Sequence, residues 1–171
     1  QFIQAEPASR VGLILVLGLT SDMFSALETR VPPPILLLAL AAIVWALPGS
    51  TYSLVRIAIG VPLVVLGLSL NAWPKTLFRH VGTTVNPLHP ERSSALVTSG
   101  LYRYSRNPMY LGYALALLGW VICQGQPLGV VMVALFIGYV TIFQILPEER
   151  HLSVRFPAEY AAYKRAVRRW V

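Results

Sequence analysis

Gly100-Leu101-Tyr102-Arg103-Tyr104-Ser105-Arg106-Asn107-Pro108-Met109-Tyr110-Leu111-Gly112 sets two arginines and three tyrosines directly against the start of an apolar run. Arginine and tyrosine collect where hydrocarbon meets water, because a guanidinium reaches for headgroups and a phenol has one apolar and one wet end. The stretch therefore reads as a membrane boundary that carries polar chemistry. Downstream, the apolar run 128–146 ends in Pro147-Glu148-Glu149-Arg150, which returns two carboxylates to the same boundary.

Working outward, 56% of the 171 residues are hydrophobic and only 12% are charged, a balance foreign to soluble domains. The length suits four or five spanning helices of about 20 residues each and leaves little for a separate soluble domain. The expected fold is all-α: a polytopic integral membrane bundle of four main spans followed by C-terminal interfacial helices, with residues 32–171 forming one domain. Residues 1–31 are set apart. Their apolar piece Val11 to Leu19 has nine residues, so it is at most a short fifth segment, interfacial or signal-like. The formal charge of +7 comes from Lys and Arg in blocks beside the apolar spans, a topological signal and a means of gripping anionic lipid rather than a nucleic-acid face. Cys123 stands alone, which excludes a disulfide within the chain and a cysteine-based metal cluster; no metal is expected.

Val31-Pro32-Pro33-Pro34 starts the first span, Ile35 to Leu47, and Pro48-Gly49 stops it. The second span is Tyr52 to Trp73, with Arg56 near enough to its end to snorkel. A polar connection then runs from Pro74 to Asn107 and reads as a folded lid. The third span, Pro108 to Ile122, carries Gly112 and Gly119 on nearly one face, where a neighbouring backbone can approach closely. The fourth is Leu128 to Leu146. Both turns at one end, Pro48 to Ser53 and Cys123 to Pro127, lack charges. The opposite end, with both termini and the long connection, is therefore expected on the cytoplasmic side. From Pro147 the tail alternates apolar and basic residues as an amphipathic interfacial helix, divided near Phe156 by Pro157.

Singly, the polar motifs have ordinary structural explanations: Asn107 as an N-cap before Pro108, and Glu148 and Glu149 complementing a helix dipole. Together they say more, because antiparallel third and fourth spans bring the start of one beside the end of the other. Arg103, Arg106, Glu148, Glu149, Tyr102 and Tyr110 then converge, a mixture suited to a zwitterionic ligand with a carboxylate and an ammonium group.

These residues resemble a family. Gly100-x-Tyr102-x-x-x-Arg106-Asn107-Pro108-x-Tyr110-x-Gly112, followed after a helical hairpin by Glu148-Glu149-x-x-Leu152-x-x-x-Phe156-x-x-x-Tyr160-x-x-Tyr163, is similar to the membrane methyltransferases of the isoprenylcysteine carboxyl methyltransferase and phospholipid methyltransferase group. The resemblance covers the C-terminal half. It departs at Asn107, where eukaryotic members tend to have His, and at Pro157, where Gly is usual. It implies S-adenosylmethionine as methyl donor, with S-adenosylhomocysteine as product, bound by Gly100, Tyr102, Arg106, Asn107, Pro108, Tyr110, Gly112, Glu148 and Glu149. A lipophilic acceptor would enter from the bilayer.

A carboxylate acceptor, such as an isoprenylcysteine-like substrate, needs a cation to orient it and no general base. Arg155 on the tail helix is the candidate, with Tyr160 and Tyr163 beside the acceptor, and Arg106 and Tyr110 completing the catalytic set. An amine acceptor would need deprotonation by His151 or a tyrosine. The competing readings are a phospholipid amine or thiol methyltransferase, a sterol-type NADPH membrane reductase, and a non-enzymatic scaffold whose basic segments grip headgroups.

Overall fold

Prolines at 33 and 34 occupy the first turn of α1 (Pro33–Ala46), where a missing N–H costs nothing and the fixed φ is already helical. The computed structural model describes residues 31–81 and 96–171. Within them lie α1, α2 (Leu54–Val81), a 3₁₀ turn (Gly100–Arg103), α3 (Pro108–Gln124), α4 (Gly129–Val140), a π turn (Thr141–Ile145), α5 (Leu146–Arg155) and α6 (Pro157–Ala166). The described residues form helices and turns without a strand. The short segment Val11 to Leu19 and residues 82–95 of the polar connection lie outside the described residues.

α3 is the central rod, packed against α2, α1 and α4. One face, Gly112, Ala116, Gly119 and Cys123, meets Gly60 and Gly67 of α2 so closely that a Cβ on Gly67 would stand 2.5 Å from Ala116 N, and one on Gly119 2.6 Å from Gly60 O. Between apolar helices in lipid such backbone contact is what attraction consists of, since burial of hydrocarbon gains nothing there. The spacing of the two glycines was thus a sound guide to this crossing. The other face buries Tyr110, Tyr113, Leu117 and Val121 with Leu40 and Val44 of α1 and Phe136 and Val140 of α4. Trp120 Nε1 donates to Ala41 O at 3.0 Å, tying α3 to α1.

Among the described residues, two helices are long and apolar enough to cross a membrane: the α2 segment Leu54–Pro74 and the continuous helix Gly129–Arg155. Only 17% and 33% of their most apolar windows are buried. A soluble core helix would be mostly covered, so these surfaces are built for an apolar surrounding. α1 and α3 are apolar but shorter, about 21 and 25 Å at 1.5 Å per residue.

The structure corrects two expected boundaries. α2 does not stop at Trp73 but passes through Pro74 to Val81, because a proline removes one ladder bond and the helix-compatible residues after it can hold the next turns. Nor does Pro147 begin a separate tail. α4 runs through the π turn into α5, and the wider turn just before Pro147 absorbs the clash its ring would make with the preceding turn. The break near Phe156 is present as expected, with α5 ending at Arg155 and α6 starting at Pro157.

The two ends of the bundle differ in chemistry. At the uncharged end, Gln126 Nε2 donates to Leu47 O at 3.2 Å and Pro48 O at 2.8 Å, and Thr51 N–H to Gln124 O at 3.1 Å. Arg56 reaches back past the helix start, its Nη1 donating to Thr51 O at 2.8 Å. The far ends of the same helices carry the acids and arginines.

Candidate active site

Gly100, with φ +61, opens the 3₁₀ turn that buries Tyr102 and leads the chain into Pro108. Tyr102 packs with Val97, Tyr160 and Tyr163, and Leu152, Phe156 and Val167 close around them. Tyr163 Oη donates to Tyr102 O at 2.7 Å, which fastens α6 to the turn. Burial, above all, pushes the phenols of Tyr102, Tyr160 and Tyr163 well up, with the nearby Glu148 and Glu149 adding to the shift at Tyr102 and Tyr160. These tyrosines are neutral donors and apolar walls at physiological pH, not bases.

Against this wall stands the charged cluster. Arg106 Nη2 lies 3.2 Å from Glu149 Oε1. Arg169 grips the same carboxylate as a fork, Nε to Oε1 at 3.0 Å and Nη2 to Oε2 at 2.8 Å, and those bonds hold its guanidinium the more firmly protonated. The Arg106 and Glu149 side chains are only 11% and 14% exposed. Two further nitrogens of Arg106, Nε and Nη1, are buried with no hydrogen-bond partner. Glu148, the neighbouring acid, lies within electrostatic reach of Tyr102, Tyr110 and Tyr160. It forms no ion pair among the described residues.

A short stretch of chain seals the cluster. After α6 the backbone turns extended at Val167, and residues 167–171 run beside 105–107. Arg106 N–H donates to Arg168 O at 3.0 Å, and Asn107 Nδ2 to Arg169 O at 3.0 Å. Trp170 packs on the core.

The family model described as phospholipid methyltransferase matches residues 55–159, from α2 to the start of α6. The chain belongs to the phospholipid methyltransferase family. Over 63 residues, 37% of this chain and the whole length of the relative, it is 43% identical to an uncharacterized protein of Haemophilus influenzae. Over 109 residues, 64% of this chain, it is 29% identical to the protein-S-isoprenylcysteine O-methyltransferase of Saccharomyces cerevisiae, of whose length it spans 46%. No solved structure matches it. Membership places the chain among membrane methyltransferases and accords with the resemblance of its two motifs.

Of the residues named from the motifs, Arg106 meets Glu149, and Tyr102 and Tyr110 lie within electrostatic reach of Glu148. Other residues settle differently. Asn107 occupies the N-cap position without capping, its side chain spent on the strap 167–171. Gly112 faces α2, where a Cβ would stand 2.7 Å from Asn71 N, so helix packing accounts for it. Pro108 is buried at the first helical position. Arg103, expected in the cluster, is exposed and lines a separate groove of about 730 Å³ with Phe156, Glu159 and Tyr163. Tyr160 and Tyr163 form the wall rather than an open surface, and Arg155 is exposed at the last position of α5. His151 is exposed, with Nδ1 bonded to Pro147 O at 2.9 Å. Arg169 is the residue that sequence reasoning missed. It sits in a basic block that reads as a headgroup grip, and its alignment with Glu149 depends on backbone bonds that leave no side-chain signature.

Proposed function

We propose that this chain spans the membrane four times and transfers a methyl group from S-adenosylmethionine to a lipophilic acceptor at the cytoplasmic face, with both termini on that side. One observation carries the reading: a buried guanidinium, Arg106, is joined to an acid through one nitrogen and has two more nitrogens, Nε and Nη1, buried and unpartnered. A buried cationic donor without an acceptor is costly. An α-amino-acid group fits the arrangement, its carboxylate on Nε and Nη1 of Arg106 and its ammonium on Glu148. Glu149 belongs to the donor pocket by fixing Arg106, and the rings of Tyr102 and Tyr110 flank the donor, where an electron-rich face beside a cation contributes about 0.5–2 kcal/mol. Gly100 and Asn107 shape the entrance by setting the turn and its seal.

S-adenosylmethionine supplies a methyl group on a positively charged sulfur, which takes the electron pair of the broken C–S bond and leaves as a neutral thioether. The residues of the chain align donor and acceptor and exclude water. A carboxylate acceptor forms the new C–O bond with its own lone pair, so no proton moves. This suits a site whose phenols are held neutral. Arg155, on the same face of α5 as Glu148 and Leu152, is placed to orient that carboxylate without contacting the donor. The yeast relative is named for an isoprenylcysteine substrate, and an acceptor of that kind, an acid on an apolar tail, is the class we assign; Tyr160 and Tyr163 would line its path.

The test is thermal stabilisation in detergent by S-adenosylhomocysteine, NADPH or anionic phospholipid, followed by mass spectrometry of lipid extracts incubated with isotopically labelled donor. Stabilisation by S-adenosylhomocysteine and label on a carboxylate are expected. Stabilisation by NADPH alone would make the chain a reductase, by lipid alone a scaffold, and label on an amine or thiol would move the acceptor class.

A further inference from the structure

The strap 167–171 lies beyond the region that matches the family model, yet it delivers a charged group to the centre of the candidate site. Glu149 has two oxygens, and they are shared unequally. Arg169 takes both as a fork, whereas Arg106 makes one contact through Nη2, at 3.2 Å. Guanidinium and carboxylate prefer the two-point arrangement. Left alone with Glu149, Arg106 would adopt it and consume a second N–H group. Arg169 prevents this by occupying the preferred geometry first.

The consequence is visible in the orphaned atoms. Arg106 Nε and Nη1 are buried and unpartnered although an acid stands within reach of the same guanidinium. A second anchoring set keeps the arrangement in register: the strap accepts Arg106 N–H at Arg168 O and Asn107 Nδ2 at Arg169 O, so Arg169 and Arg106 are fixed relative to each other through main chain.

We propose that Arg169 is a positioning residue which holds Glu149 away from two-point pairing with Arg106, and so keeps Arg106 open to the carboxylate of the ligand's amino-acid end. The inference rests on the proposed donor site and adds to it a residue that touches neither donor nor acceptor. It also states which part of the donor is recognised through the strap: the amino-acid end, not the nucleoside.

Two ligands separate these ends. S-adenosylhomocysteine carries both; methylthioadenosine carries the nucleoside and thioether but no amino acid. Affinities are measured by calorimetry in detergent for the wild type, Arg169→Gln, Arg169→Lys and the double variant Arg169→Gln with Glu149→Gln. In Arg169→Gln we expect S-adenosylhomocysteine to bind about tenfold more weakly, the loss of one charge-assisted contact, with methylthioadenosine unchanged. Arg169→Lys keeps the charge without the fork and should show the same selective loss, about threefold. The double variant should regain affinity over Arg169→Gln, because a neutral amide in place of the Glu149 carboxylate no longer captures Arg106. Equal losses for both ligands, or no recovery in the double variant, would reduce the strap to a structural tie and overturn the proposal. Should the wild type bind neither ligand, the donor site itself is refuted and the role of Arg169 with it.

Discussion

Arg106→Lys isolates the observation on which the donor site rests. Lysine keeps a positive charge near Glu149 but offers one nitrogen where arginine offers a fork. Glu149 remains held by Arg169 at 3.0 and 2.8 Å, so the local frame survives. What disappears is the pair Nε and Nη1, buried and unpartnered in the free protein. A charge-assisted hydrogen bond contributes about 1.5–3 kcal/mol, which converts to a loss of about 10- to 150-fold in affinity for S-adenosylhomocysteine at 1.4 kcal/mol per tenfold. Stability should move the other way. Two buried donors without acceptors are removed, so the ligand-free protein should melt at the same temperature or slightly higher. Calorimetry gives the affinity and a detergent melt gives the Tm of each form. Unchanged affinity would refute the assignment of Arg106, and a large fall in the ligand-free Tm would mean that the guanidinium is only a strut.

Glu148→Gln should weaken S-adenosylhomocysteine about tenfold by removing the partner of its ammonium, with methylthioadenosine unaffected; calorimetry with both ligands checks it. Gly67→Leu must separate α2 from α3, since its Cβ alone would meet Ala116 N at 2.5 Å, and overpacking of about 1–3 kcal/mol lowers the Tm by about 5 °C. Gly138→Ala, where nothing lies within 4 Å, is the control that should leave the Tm unchanged or raise it. Stability should also fall at alkaline pH, measured by melts from pH 8 to 11 (roughly the range around an ordinary phenol). Burial raises the folded Tyr160 phenol above its ordinary 10.0. Its contribution is therefore full below that pH and is lost as pH climbs, because the unfolded chain releases the proton first. In Tyr160→Phe the decline should be shallower.

The elements that the sequence announced are those whose cause is local. Pro33 and Pro34 mark a helix start by their own geometry, and the break at Pro157 follows because Phe156 is driven out of helical φ and ψ. Gly112 and Gly119 announced a close crossing but not its partner, which took the spacing of Gly60 and Gly67 on another helix to supply. Pro74 and Pro147 misled for the opposite reason. A proline is a breaker only when nothing else holds the turn; Pro74 itself is buried within α2, and a π turn precedes Pro147. Arg106 with Glu149 was legible because the hairpin between them fixes their depth. Arg169 was not, because its place is set by carbonyl oxygens of the strap, and a carbonyl is the same in every residue.

Unsatisfied polar atoms lie at both ends of the bundle among the described residues, and they differ in what they can attract. At the uncharged end the Gln124 side chain is fully buried, with neither its amide nitrogen nor its oxygen bonded. A neutral amide in that condition costs about 1–3 kcal/mol, which a domain can tolerate and a single water can relieve. Arg106 at the other end is charged, and an uncompensated buried cation costs more than a neutral group. Its one contact with Glu149 is shared with Arg169, so the compensation is partial by construction. Water can hydrate those N–H groups but cannot neutralise them. An anion can do both. The orphaned guanidinium thus favours an anionic group, whereas the orphaned glutamine selects nothing.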